Sequence, residues 1–109
     1  MRILHLLKSN KYSGAENVVL TIMDVCSDMD MVYASPDGSI REVVESRGHE
    51  FYPLNRPTIR EVKKAIRELH PDVIHAHDFT MASTAAWAAG DIPVVAHLHN
   101  NPPWLKKIC

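Results

Sequence analysis

The chain has 109 residues, the length of one domain, and its 46% apolar and 23% charged residues exclude disorder, collagen and coiled coil. Lys plus Arg is 12 against 13 Asp plus Glu, and a net charge of -1 argues against nucleic-acid binding through bulk charge. Two cysteines, Cys26 and Cys109, with no CxxC, exclude a disulfide scaffold and point to a reducing cytosol.

The opening MRILHLLKSN has no small-residue cleavage site and reads as no signal peptide. No apolar run approaches a membrane span. Arg2–Leu7 is a short apolar run that suits a buried strand, followed by the polar, Gly-bearing turn KSNKYSG. Ala15–Cys26 reads as a helix, with Ala15, Val18, Val19, Ile22, Met23 and Cys26 as its apolar stripe. Met31–Ser35 is a second strand, closed by Pro36-Asp37-Gly38. Ser39–Arg47 is a short helix, with Ser39 and Glu42 as a capping box and Gly48 past its end.

His49–Leu54 is a third extended piece. Thr58–Leu69 is the clearest helix: Thr58 and Glu61 form a capping box, Ile59, Val62, Ile66 and Leu69 the core stripe, and Pro71 stops it. Val73–His77 is a fourth strand, and Thr80–Ala89 a helix of small residues ending at Gly90. Ile92–His99 is a fifth strand, before the tail NNPPWLKKIC. Strict alternation implies an α/β fold: a Rossmann-like three-layer α/β/α domain with a parallel sheet of about five strands in the order 3-2-1-4-5. Ligands of such sheets bind beyond the carboxyl ends of the strands.

Two constellations fall there. Ser13-Gly14-Ala15-Glu16 opens a helix after the first strand. Its bare amides and the helix dipole favour an anion such as phosphate, and Gly14 lets one approach. Ser13 and Glu16 can equally form only a capping box. His75-Ala76-His77-Asp78 closes the fourth strand, and His97-Leu98-His99-Asn100 the fifth. Residues two apart on a strand share a face. His77 is thus expected in an open cleft at the carboxyl end, and His75 in the core. The two HxH pairs, with Asp78, invite a metal. They lack the long-range spacing of a metal signature, so ligand-contacting or core histidines are preferred and no metal is assigned.

Arg60, Lys63, Lys64 and Arg67 line the polar face of one helix, a solvated face that also suits anionic lipid head groups. Cys26 reads as inert core. GxGxxG, Walker and GxSxG motifs are absent from the sequence.

SGAENVVL, RGHEFYPL, DVIHAHD and PVVAHLHN, in that order, resemble segments of the family 4 glycosyltransferases. The likeness runs from Met1 to about Asn100. It implies a two-domain GT-B fold and retaining sugar transfer from a nucleotide-sugar donor to a polysaccharide or glycolipid acceptor, with no required metal or other cofactor. The chain would be a partial N-terminal, acceptor-side domain, with the donor-binding domain outside it and no transfer by the fragment alone. Gly14 would lie beside the donor diphosphate, and His77 near the transferred sugar as the catalytic residue. Ser13, Glu16, Asp78, His99 and Asn100 would contact substrates. The resemblance places the protein in the cytoplasm, with peripheral contact at the inner face of the membrane. Ser13-Gly14 stands where the family usually has two glycines, and the E-x7-E donor motif lies outside these residues. A fifth strand left as an uncovered edge invites self-association. A stand-alone Rossmann-like binding module and a His-rich metallohydrolase are the alternatives.

Overall fold

The computed structural model describes residues 1–97. His99, Asn100, Cys109 and the end of the predicted fifth strand lie outside the described residues.

Among the described residues nine elements alternate: β1 (Arg2–Leu6), α1 (Gly14–Val25), β2 (Asp30–Pro36), α2 (Ser39–Ser46), β3 (Glu50–Leu54), α3 (Ile59–Leu69), β4 (Val73–Ala76), α4 (Phe79–Ala88) and β5 (Val94–Ala96). The strands are parallel throughout and lie in the order β3-β2-β1-β4-β5. This is the doubly wound sheet that the alternation predicts.

The period-two pattern of each strand builds two cores. Leu4, Leu6, Val32, Ala34, Ile74 and Ala76 face one side, against α3 and α4. Leu7, Tyr33 and Phe51 face the other, against Val19, Leu20 and Met23 of α1 and Ile40 and Val44 of α2. The buried alanines Ala85, Ala88 and Ala89 let α4 lie close to the sheet.

One helix is rotated from the sequence reading, and a second keeps its stripe except at its first residue. α1 buries Glu16, Val19, Leu20 and Met23, while Val18 is 40% exposed. α3 buries Val62, Ala65 and Leu69 and packs Ile66 against the same core, as the stripe predicts, while Ile59 is 39% exposed. α1 is apolar on adjacent stripes, so periodicity alone leaves its rotation open. The cap of α2 also differs. Gly38 takes the N-cap position and Ser39 is the first helical residue, with no side-chain cap. Gly38 is required for space: a Cβ there would lie 2.8 Å from the Asn10 side chain.

The amino end of the sheet is tied shut. The Arg2 amide donates to Asp72 Oδ2 (2.7 Å), and its guanidinium donates to the Leu69 carbonyl and the Glu50 carboxylate. The carboxyl end is left for a ligand.

Candidate functional site at the carboxyl end of the sheet

The loop after β1 and the amino ends of α1 and α4 enclose a cleft of about 740 Å³. Lys8, Ser13, Glu16, His77, Asp78 and Phe79 are among its lining residues. The loop is fixed from two sides. The Ile40 amide donates to the Asn10 carbonyl (3.1 Å). The Lys8 amide donates to Asp78 Oδ2 (2.8 Å).

Asp78 is a junction. Its Oδ1 accepts the Met81 amide at 2.8 Å as the N-cap of α4, while Oδ2 holds the β1 loop. Removing it breaks both links. Asp78→Ala should cost about 1–2 kcal/mol, the usual value of a lost cap. For a domain this size, each kcal/mol lowers the melting temperature by about 4–8 °C. Asp78→Asn, which keeps an oxygen, should cost less. Thermal unfolding of both variants checks this, and an unchanged midpoint for Asp78→Ala would contradict it.

α1 is capped differently from α3 and α4. Ser13 occupies its N-cap, yet the Ser13 side chain makes no hydrogen bond to the first-turn amides. Instead Ser13 Oγ donates to the Glu16 carboxylate. The predicted capping box is therefore not formed. Ser13, Ala15 and Glu16 bring the amino end of α1, the positive end of its dipole, to the cleft, whereas Gly14 is not among the lining residues, and a Cβ there would meet nothing within 4 Å. Glu16 is buried in the first turn and lines the same cleft.

The histidines converge from three strands' ends. His5 of β1 is in register with His75 of β4. His5 Nδ1 and His77 Nε2 lie 2.9 Å apart and share one hydrogen bond, in which one ring donates and the other accepts. His5 Nε2 is 3.4 Å from Met31 Sδ. The His75 and His77 rings stack at 4.0 Å, and His97 stacks on His75 at 5.7 Å. Burial pushes the pKa of His5 down to about 3, with repulsion from His75 as the second cause. His5 is thus a neutral imidazole at physiological pH.

The expected exposures of His75 and His77 are reversed. His77 lines the cleft but is only 2% exposed, while His75 is half-buried. Contact with His5 closes over His77, whereas His75 sits beside Val95 on β5, which is 51% exposed. Sequence reasoning passed over His5 as part of an apolar run. Its alternation with Leu4 and Leu6, both core residues of the opposite face, was the available signal. Phe79, 55% exposed at the cleft rim, carried no signal beyond an apolar residue after Asp78.

The model of the family described as Glycosyltransferase Family 4 matches residues 12–108. The fold is similar to that of HepE from Anabaena in complex with UDP and glucose, at a TM-score of 0.78 and 24% identity. That match covers 92% of this chain and 30% of HepE. A glycosyltransferase from Rickettsia africae matches at a TM-score of 0.67 and 14% identity, over 98% of this chain and 32% of that one. The chain thus spans about 30% of the length of HepE. No curated protein matches the sequence.

Proposed function

This chain belongs to glycosyltransferase family 4, and from that premise we propose that it forms the acceptor-side domain of a retaining transferase. The enzyme would move a sugar from a nucleotide-sugar, of the kind HepE holds as UDP-glucose, to a polysaccharide or glycolipid acceptor. The observation that carries this reading is the cleft shared by His77, Glu16 and the open amino end of α1.

Each wall has a chemical use. The first-turn amides beside Gly14 suit one face of a diphosphate. The Glu16 carboxylate accepts hydrogen bonds from sugar hydroxyls, with Ser13 fixing its position. Asp78 holds the loop and the α4 end that frame the cleft. His77, held by His5, stands where charge develops on the transferred sugar. His99 and Asn100 belong to the acceptor side. None of these roles requires a resident metal or cofactor. Positioning and charge stabilisation need both halves of such an enzyme, and a second domain would supply the donor's base and ribose contacts. The exposed Arg60, Lys63, Lys64 and Arg67 form the face for peripheral contact with the inner membrane surface. Cys26, a free thiol, suits the cytoplasm.

Residues 1–109 alone should therefore bind UDP-glucose only on the order of millimolar or weaker and show no transfer. Titration calorimetry beside light scattering checks this, and the scattering also reports self-association through the β5 edge. Micromolar binding by a monomer would make the chain a self-sufficient binding module instead.

A further inference from the structure

We propose that His5, His75 and His77 form a binding site for a divalent transition-metal ion of the zinc class. One ring nitrogen from each histidine lies within 4.8 Å of the other two. A tetrahedral zinc ion at about 2.0–2.1 Å from each nitrogen needs them about 3.4 Å apart. His5 and His77 are already within that reach at 2.9 Å. The His75 nitrogen, within 4.8 Å of both, must close in to complete the set.

The topology explains the convergence. His75 and His77 are alternate residues on and just past β4, so both rings leave the sheet on one face. β1 is the adjacent parallel strand, and register places His5 directly opposite His75. A His-x-His pair on one strand and a third histidine on its neighbour point at one spot. Three imidazoles make a set that leaves a fourth position for water. The HxH pairs read from the sequence lacked the third ligand because it lies 70 residues earlier in the chain, on β1.

The protonation states also fit. Metal binding takes neutral imidazoles, and burial keeps His5 neutral. One N–H lies in the hydrogen bond that His5 and His77 share. Binding through His5 Nδ1 and His77 Nε2 needs both nitrogens bare, so that proton leaves the shared bond, either for the far nitrogen of its own ring or for solvent. The His5 Nε2–H then faces Met31 Sδ, a weak acceptor that would orient the ring. Nitrogen-only ligands favour Zn²⁺, Co²⁺, Ni²⁺ or Cu²⁺ over Mg²⁺, which prefers oxygen.

The site shares His77 with the proposed sugar transfer, so a bound ion would compete with the sugar for that ring, but its test reads metal binding alone. Untagged chain, freed of metal with EDTA, is titrated with Zn²⁺ against a chromophoric chelator and with Co²⁺ by visible absorption. One equivalent of Zn²⁺ is expected, with Mg²⁺ unable to compete. His5→Phe and His75→Phe should each weaken Zn²⁺ at least about tenfold, while His70→Asn, at the other end of the sheet, should not. Circular dichroism shows whether the variants fold. Should they unfold, the zinc K-edge spectrum of the unaltered chain decides by counting imidazoles. Three or more support the site. Fewer than three, substoichiometric zinc, or full affinity in a folded His5→Phe variant would overturn it.

Discussion

Acidification from pH 6.5 to about 3 is expected to destabilise the folded chain through His5. In the unfolded chain His5 has the ordinary imidazole pKa of 6.5, and in the folded chain about 3. Between those values the unfolded state holds a proton that the folded state refuses. Unfolding free energy therefore falls as pH falls through this window. The stabilisation is complete above pH 6.5 and is lost by about pH 3. One such group contributes at most about 1.4 kcal/mol per pH unit. Over the whole window that is several kcal/mol, a large part of the roughly 5–15 kcal/mol that holds a domain together. The comparison is with His5→Asn, which cannot take up the proton yet keeps a polar group toward His77. Denaturant unfolding across this range should show a flatter pH slope in the variant. Parallel slopes would mean that His5 is not the group that refuses the proton.

The second large effect concerns turnover. In the proposed transferase that carries this domain, His77→Asn should lower kcat at least about 100-fold, the usual loss when one preorganised group is removed from a developing charge. The stability cost is also real, because His77 is 2% exposed and hydrogen-bonded to His5. It should lie near 1–3 kcal/mol. Asn keeps one hydrogen-bonding group, which limits that cost. The two quantities separate the roles. A large fall in kcat with a folded, slightly less stable protein places His77 at the sugar. Unchanged kcat with a lower melting temperature would leave it as core alone.

The fold was open to reading because its determinants are local. Short apolar strands, Thr58 as a cap, Gly48 at φ 81° and Pro71 after α3 each act within a few residues. Strict alternation then leaves one common sheet order. Helix rotation was not legible, since Val18 and Leu20 are equally apolar and only packing chooses between them. The candidate site was half legible. Glu16 and His77, which line the cleft, could be picked out because they lie after strands. The His5–His77 pair spans 72 residues, and no spacing rule reaches that far. The burial of His77 follows from the same long-range contact. Asp78 lines the cleft as a candidate contact, and its second role, each oxygen accepting a backbone amide, was not legible because Lys8 lies 70 residues away. Ser13 illustrates the converse: a local capping signal diverted by its own partner, Glu16.

The most direct test follows the ring nitrogens of His77 by NMR in the proposed transferase that carries this domain, before and after saturation with nucleotide-sugar and acceptor. If the cleft at the carboxyl end of β1 and β4 holds the transferred sugar, the His77 and His5 signals will move together, because the two rings share a hydrogen bond. His70, at the opposite end of the sheet, will stay in place. Unmoved His77 signals in a saturated, active enzyme would contradict the account.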